Sequence, residues 1–494
     1  MKIKKLLFPV LASVVVLGSC TKDDIEPKEP GTGEEGEVVN LEVENFIWKG
    51  LNEIYLYKAD VPELANNYFT TPSQKTDFLK GFGSPEKAFD GLLATQDRFS
   101  FIVPDYVSLM NSFAGVNTTE GMEFLLYTYA GDNVFGIVTY VLPNTSAEEE
   151  GVKRGDIFTS IDGVKMNVNN YRDLLDKDAY VIDINYLDGN TITPTGKSVS
   201  LTKKEYSTNP VYKTEIIEVN GSKVGYLMYN SFTASYDGAL NAAFGEFKTA
   251  GVTDLVLDLR YNGGGSVATA AGLASMITGQ YKGEIFLKEQ WNAKYQNAWE
   301  PESYLYRFND QIVLNRGSEN EVAELINSLN LNKVYVLTTG RTASASELII
   351  NGLEPYIDVV QIGKTTVGKF QASVTLFDSP GMTNTTNVNK NHTYAIQPLV
   401  FKSANAEGKS DYVNGLTPDL EISEDLGNMG TLGDPQEPFL KAALNHIAGV
   451  AQDQKHQEEA LEKLSRYDFV GQKGMDEPVF QKMYIEELPS QLEL

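Results

Sequence analysis

The sequence predicts an α/β protein in which a helical region and a β-rich region precede the α/β core. Apolar residues recur at helical spacing over 41–114, short β-rich runs follow over 121–203, and strands alternate with helices over 224–426. Hydrophobic residues make up 42% of the 494 residues, which is normal for a globular chain of more than one domain. The predicted segments are 1–19, 20–40, 41–115, 116–205, 206–426 and 427–494.

The N-terminus has the form of a secretory signal peptide. Three lysines precede an apolar run over 6–17, which is shorter than the roughly 20 residues of a membrane span. The run ends in Leu17-Gly18-Ser19-Cys20, which resembles the bacterial lipobox, where the signal is cut before a cysteine that then carries lipid. Cys20 is the only cysteine, which excludes an internal disulfide, a multi-cysteine zinc site and a cysteine nucleophile in the globular part. The alternative is a plain secretory signal with an incidental cysteine.

Residues 21–39 are acidic and rich in proline and glycine, and they are expected to form a tether. Lys22-Asp23-Asp24 resembles the export signal of surface lipoproteins in Bacteroidetes-type bacteria, although solvated linker charge explains it equally well. The net charge of −26 disfavours nucleic acid and anionic lipid headgroups as partners. Membrane attachment is therefore expected through lipidated Cys20, in the cell envelope and at the outer membrane, facing the periplasm or the surface.

The helical region is expected to supply core packing and no functional site. Phe46, Leu51 and Ile54 recur at helical spacing. Thr71-Pro72-Ser73 is a break, and Ser84-Pro85-Glu86-Lys87 is a favourable helix start.

The β-rich region carries a motif that resembles the PDZ signature. Strands are predicted over 124–129, 134–141 and 180–186, and Gly155-Asp156 leads into Ile161-Asp162-Gly163 between them. A PDZ domain binds a peptide C-terminus as an added strand and holds its carboxylate with a backbone loop. The resemblance places that loop at Gly121, Met122 and Phe124. Glu123 in the same loop is unfavourable for a carboxylate, so a purely regulatory or packing role is the alternative.

In the α/β region, strands are predicted over 224–228, 253–260 and 333–338, and helices over 239–250, 266–277 and 345–353. The strand at 253–260 runs into Asn262-Gly263-Gly264-Gly265, just before a helix. Such a turn aims backbone N–H groups at a ligand, as in an oxyanion hole, or it is simply tight. The spacing matches neither a Walker loop nor a dinucleotide fingerprint. The C-terminal region over 427–494 is predicted to be mainly helical.

Thr342-Ala343-Ser344-Ala345-Ser346-Glu347 follows the strand at 333–338 and opens a helix. A serine at a strand-to-helix turn is typical of a nucleophile elbow. For this segment alone, an ordinary helix cap, with Glu347 completing a capping box, is the preferred explanation.

The order of these motifs resembles the carboxyl-terminal processing peptidases, also called tail-specific serine proteases. Asp258-Leu259-Arg260, Asn262 and the glycines come first, then Ser344-Ala345-Ser346-Glu347, and then Gly368-Lys369, with the lysine 25 positions after the serine. Asn414-Gly415-Leu416-Thr417-Pro418-Asp419 also matches a distal segment of that family. The resemblance implies a crotonase-like (ClpP/crotonase-type) core with a PDZ-like domain, and it covers over half of the chain.

Serine is a poor nucleophile without a base, and lysine is a base only when burial keeps it neutral. The resemblance makes Ser344 the nucleophile and Lys369 the base, and apolar neighbours at Val367 and Phe370 suit a desolvated lysine. Lys364 is the nearest rival, and a histidine triad through His392 is a further alternative.

The resemblance also implies that the backbone N–H groups of Gly264 and Ala345 form the oxyanion hole. Glu347 and Gln371 are candidates to orient Lys369, because the chain departs from the family at Pro355 and Ser373. No metal site and no cofactor are expected.

The expected function is a serine-type endopeptidase that cleaves unstructured or C-terminal segments of exported proteins through an acyl-enzyme. One alternative is a catalytically weak or inactive envelope lipoprotein that binds peptides on the same scaffold. Another is an acyl-thioester enzyme, which has no need of the serine–lysine register. The oligomeric state is not predicted.

Overall fold

The computed structural model describes residues 40–451, 464–477 and 479–489. The predicted signal peptide, the lipidation candidate Cys20 and the tether up to residue 39 lie outside the described residues. Within the described ranges, no helix is long and apolar enough to cross a membrane.

The N-terminal region is largely helical, as predicted. Its elements are α1 (Glu42–Ile54), α2 (Pro72–Lys80), α3 (Pro85–Gly91), β1 (Phe101–Val103) and α4 (Tyr106–Phe113). The hydroxyls of Thr71 and Ser84 cap α2 and α3, and each of these helices begins with a proline. The apolar face of α1 is buried in the cluster that also holds the α/β core, so the two regions share one core.

The β-rich region follows. Its elements are β2 (Val116–Thr119), β3 (Met122–Tyr129), β4 (Asn133–Val141), α5 (Ser146–Glu149), β5 (Ile157–Phe158), β6 (Ser160–Ile161), β7 (Val164–Lys165), α6 (Tyr171–Leu175), β8 (Ala179–Asp188), β9 (Thr191–Thr202) and β10 (Lys204–Ser207). The three predicted strands are confirmed as parts of β3, β4 and β8. An apolar cluster that includes Phe124, Phe158 and Ile182 fills the space between these strands and α6.

The α/β region alternates strands and helices as predicted. Its elements are β11 (Val211–Val219), β12 (Ser222–Tyr229), α7 (Asp237–Ala250), β13 (Asp254–Asp258), β14 (Gly265–Ser266), α8 (Val267–Thr278), β15 (Ile285–Trp291), α9 (Ala293–Ala298), β16 (Leu305–Arg307), β17 (Gln311–Leu314), β18 (Val322–Leu325), β19 (Lys333–Thr338), α10 (Ala345–Leu353), β20 (Asp358–Gly363), β21 (Gln371–Val374), β22 (Leu376–Phe377), β23 (Ala395–Gln397), β24 (Leu399–Ala404), β25 (Leu420–Glu421) and α11 (Pro438–Ala448).

Two six-stranded sheets position the site. The first has the order β11-β12-β13-β19-β20-β25, and all its pairs except β11–β12 are parallel. Its strands β13 and β19 therefore end at the same edge, where the glycine turn and the Ser344 turn follow them. The second sheet places β21, which follows Lys369, between β24 and a strand from the C-terminal region.

In the described part of the C-terminal region, α11 is helical as predicted, whereas 464–477 and 479–489 contain two short strands that were not predicted. β26 (Phe469–Gln472) pairs with β3, and β27 (Met483–Ile485) lies between β14 and β21. Open strand edges elsewhere in the fold offer backbone hydrogen bonds to these short segments, and such pairing overrides local helix preference.

Candidate active site

Ser344 lies on a strained turn between β19 and α10. Its φ is +68°, which is rare for a residue with a side chain. The Ser344 hydroxyl is buried and has no hydrogen-bond partner among the described residues. A strained, unpartnered serine at a strand-to-helix turn has the geometry of a nucleophile elbow.

Lys369 is only 2% exposed, and burial lowers the pKa of its amine to about 7, although Asp97 and Glu347 oppose that shift. The amine donates a hydrogen bond to the main-chain oxygen of Gln481 at 2.8 Å and lies 4.9 Å from the centre of the Phe99 ring. Lys369 is therefore able to be neutral near neutral pH, as a general base must be.

Glu347 joins the serine turn to the lysine segment. One carboxylate oxygen accepts from the N–H groups of Ser344 at 2.7 Å and Lys369 at 2.9 Å. The other accepts from the Thr366 hydroxyl at 2.5 Å and the Gly368 N–H at 2.7 Å. Burial raises the pKa of this fully buried carboxyl, while the four hydrogen bonds lower it. Glu347 thus positions the backbone of Lys369 and does not hydrogen bond to its amine.

Asn262 holds the glycine turn against the serine turn. Its amide donates to the Tyr229 carbonyl, and its side-chain oxygen accepts from the Gly264 N–H, both at 2.8 Å. The Asn262 carbonyl accepts from the Ala343 N–H at 3.2 Å. The N–H predicted to serve the oxyanion is therefore bonded to Asn262 in this structure. The sequence motif contains Asn262, but only the fold shows what it contacts.

Gly264 and Ala345, the two predicted oxyanion donors, are brought together. Gly264 has φ +105°, and a Cβ there would stand 2.6 Å from the Ser344 Cβ and 3.0 Å from the Ala345 nitrogen. Only glycine permits this approach. Ala345 is the first residue of α10, so its N–H lies at the positive end of the helix.

A buried network of ion pairs lies at the end of β13, directly before the glycine turn. Arg260 is fully buried and donates to Asp258 at 2.7 Å and to Glu437 at 2.7 Å. The Tyr226 hydroxyl also donates to Asp258 at 2.7 Å. This network fixes the end of β13, from which the turn starts.

Gln371, the other candidate to orient Lys369, and Ser373, where the chain departs from the family, make their hydrogen bonds to groups other than the Lys369 amine. The Gln371 amide donates to the Tyr57 hydroxyl at 2.9 Å, so the structure gives it no contact that orients Lys369. The Ser373 hydroxyl donates to the carbonyl of Met483 at 3.0 Å.

The alternative bases make other contacts. Lys364 forms an ion pair with Glu421 at 2.7 Å and is partly exposed, so it lacks the buried setting of Lys369. His392 lies 3.0 Å from Asp378, and its other ring nitrogen accepts from the Tyr394 N–H. Its contacts include no serine hydroxyl, which leaves the histidine triad without its nucleophile.

The predicted carboxylate loop of the β-rich region is already engaged by the chain itself. The Gly121 N–H donates to the Thr119 hydroxyl at 2.9 Å. The Met122 and Phe124 carbonyls accept from Lys473, one from its side chain and one from its backbone. Across 40–451, 464–477 and 479–489, no cluster of three or more His, Cys, Asp or Glu side chains is arranged to hold a metal ion.

The chain is similar to known peptidases in both its N-terminal and its α/β region. The profile of peptidase family S41 matches residues 223–422, which contain Gly264, Ser344 and Lys369, and the profile of the S41 N-terminal domain matches 42–101. The chain is 26% identical over 356 residues to a chloroplastic C-terminal processing peptidase of Tetradesmus obliquus, covering 68% of this chain and 66% of that protein.

The chain is also 27% identical over 251 residues to a carboxyl-terminal-processing protease of Picosynechococcus sp., covering 49% of this chain and 53% of the relative. It thus spans less than two thirds of either relative. A crystal structure described as an S41 protease from Bacteroides fragilis NCTC 9343 superposes with a TM-score of 0.62 at 27% identity, covering 82% of this chain and 98% of that one. The chain belongs to peptidase family S41.

Proposed function

We propose that the protein is a serine-type endopeptidase that cleaves unstructured or C-terminal segments of exported proteins. The observation that carries the proposal is the Glu347 carboxylate, which ties the strained Ser344 turn to the backbone of a desolvated Lys369. Two main-chain contacts to one buried acid hold the nucleophile and the base in one rigid unit.

The proposed mechanism is acyl transfer. Neutral Lys369 accepts the proton of the Ser344 hydroxyl as the oxygen attacks a substrate carbonyl carbon. The N–H of Ala345 stabilises the negative charge on the carbonyl oxygen, and the N–H of Gly264 joins it once it releases the side-chain oxygen of Asn262. The lysine ammonium then protonates the leaving amine, and the acyl-serine ester remains. Lys369 next takes a proton from water as the water oxygen attacks the ester carbon. The ammonium then returns that proton to the Ser344 oxygen as the bond to the acyl carbon breaks, which releases the carboxylic acid and restores the serine.

The finer features of the fold belong to the same proposal. The parallel sheet with the serine turn at its edge supports a crotonase-like core. The strand order around β3 and the adjacent α6 support a PDZ-like domain. The lipobox-like segment supports a chain anchored by Cys20 to the cell envelope, at the outer membrane.

The test compares hydrolysis of an unstructured protein such as β-casein by the wild type with three variants. Ser344→Ala and Lys369→Met are expected to lower kcat/KM by about 10³-fold or more, because the nucleophile and the base act together and each variant removes one of them. The control Lys364→Met, which removes the rival lysine, should retain wild-type activity. A Lys369→Met protein that cleaves at the wild-type rate would contradict the proposal. Binding of β-casein with no cleavage by the wild type would identify the peptide-binding alternative.

A further inference from the structure

The C-terminal segment, defined here as residues 464–477 and 479–489, adds a strand at two places, on β3 of the β-rich region and between β14 and β21. Its strand β26 lies on β3 and its strand β27 lies beside the glycine turn. The chain therefore supplies its own extended peptide to the β-rich region and to the catalytic cleft.

In the β-rich region, β26 pairs antiparallel with β3 and continues toward the predicted carboxylate loop. The Lys473 amine there donates to the Thr119 hydroxyl at 2.6 Å, the Glu120 carboxylate at 2.7 Å and the Met122 carbonyl at 3.1 Å. The side chain of Lys473 thus occupies the end of the groove, where a hydroxyl, a carboxylate and one carbonyl accept from its amine. A substrate cannot add to this edge of β3 while β26 is bound there.

In the catalytic cleft, β27 lies between two strands that flank the candidate catalytic residues. It pairs in parallel with β14, directly after Gly264, and with β21, directly after Lys369 and Phe370. Met483 is fully buried, and the Tyr484 ring stacks on Phe113 with centroids 4.2 Å apart. The segment fills this slot as an added strand, in the same way that an extended peptide would.

The segment also engages the catalytic groups. The Gln481 carbonyl accepts from the Lys369 amine at 2.8 Å. The Lys482 carbonyl oxygen is 2.4 Å from the point where a Cβ on Gly264 would stand, and the Ser344 Cβ is 2.6 Å from that point. Gln481 itself has φ +55°, a strained value for a residue with a side chain.

Two ionisable side chains of the segment are buried with few polar contacts: the Lys482 amine donates a single long hydrogen bond, to the Ser112 carbonyl at 3.5 Å. The Lys482 amine is 5.1 Å from the centre of the Phe113 ring, and burial lowers its pKa to about 8 despite the nearby Glu477. One carboxylate oxygen of Glu486 is buried without a hydrogen-bond partner among the described residues. Because desolvated charges and orphaned polar atoms cost free energy, the segment is bound less tightly than its apolar contacts alone would hold it.

We propose that the C-terminal segment is a built-in pseudosubstrate, which occupies the catalytic cleft and the groove at β3 until an extended polypeptide displaces it. This inference rests on the proposed peptidase function, because it assigns the same cleft to substrate. The alternative role is structural: the Gln481 carbonyl would then be a permanent part of the active site that orients Lys369.

The first test measures displacement without cleavage. In the Ser344→Ala protein, hydrogen exchange of the amides at 483–485 is followed with and without saturating β-casein. We expect exchange there to accelerate about tenfold or more when β-casein is bound, while exchange in β19 stays unchanged. Unchanged protection of 483–485 in the presence of bound β-casein would overturn the proposal.

The second test loosens the segment by charge reversal. Lys482→Glu places a carboxylate near Glu477, and Lys441→Glu on the exposed face of α11 is the matched control. In the Ser344→Ala background, Lys482→Glu should tighten β-casein binding about tenfold, and Lys441→Glu should not change it. Equal affinity of all three proteins would contradict the inference. Absence of binding to any of them would instead refute the proposed function.

The third test separates the two roles of the segment. A synthetic peptide of residues 479–488 is added to the otherwise wild-type Lys482→Glu enzyme. A pseudosubstrate raises KM for β-casein with kcat unchanged. An increase in kcat would show that the segment completes the active site, and it would overturn the proposal.

Discussion

The main-chain N–H groups of Ser344 and Lys369 donate to the same carboxylate oxygen of Glu347, at 2.7 and 2.9 Å. Residues 25 positions apart are thereby held by one buried atom. Because the contacts are to the backbone, they position both residues without consuming the hydroxyl or the amine that the proposed reaction needs.

Glu347→Gln is expected to destabilise both the fold and the site. A glutamine amide has one acceptor oxygen, whereas four donors converge on Glu347, so at least one buried N–H loses its partner at a cost of about 1–3 kcal/mol. The free energy of unfolding in urea and kcat should both fall. Glu354→Gln, at the exposed end of the same helix, should change the free energy of unfolding by less than about 0.5 kcal/mol and should leave kcat unchanged. Wild-type stability of Glu347→Gln would contradict the role assigned to the carboxylate.

The activity should depend on pH through one group near pH 7. Burial lowers the pKa of Lys369 to about 7, so the amine is protonated and inactive below that pH and neutral above it. We therefore expect kcat/KM to rise about tenfold per pH unit below pH 7 and to level off above it. A profile that is flat between pH 5.5 and 8.5 would show that Lys369 is not the base.

Two neighbouring glycines should respond differently to alanine. Gly264 has φ +105°, and its Cβ would overlap the Lys482 carbonyl and Ser344, whereas a Cβ on Gly263 would meet its nearest neighbours at 3.4 Å. Gly264→Ala should cost about 1–3 kcal/mol of stability and lower kcat about 10²-fold or more. Gly263→Ala should remain active. Thermal unfolding and β-casein hydrolysis check both variants, and equal behaviour would contradict the geometry.

Arg260→Leu should be strongly destabilising, because it leaves the carboxylates of Asp258 and Glu437 buried without their partner. Breaking such a buried network costs about 3–5 kcal/mol. Urea unfolding measures the loss. Arg307→Leu breaks the exposed pair with Glu302 and should cost less than about 1 kcal/mol. Similar losses in the two variants would show that the buried network contributes little.

Local patterns were sufficient to predict most strands and helices of the α/β region. The strand Lys333–Thr338 was predicted with the bounds that the structure has, and the bounds of α7 and α8 differ from prediction by at most two residues. Runs of apolar residues bounded by glycine turns indicate strands that are buried on both faces, as the strands of a parallel sheet are. The two C-terminal strands could not be predicted in this way, because a three- or four-residue strand depends on the edge it joins.

The sequence by itself indicated which residues form the candidate site, because the order and spacing of the serine, the lysine and the glycines resemble those of the carboxyl-terminal processing peptidases. Only the tertiary structure decided which groups position these residues and which segment of the chain contacts them. The Glu347 carboxylate joins Lys369 across 22 positions of the chain, and the contact between Lys369 and Gln481 spans 112 positions. Both contacts, and the desolvation of Lys369, depend on the folded chain. Burial and hydrogen bonding are sums over spatial neighbours, and those neighbours exist only once the chain has folded.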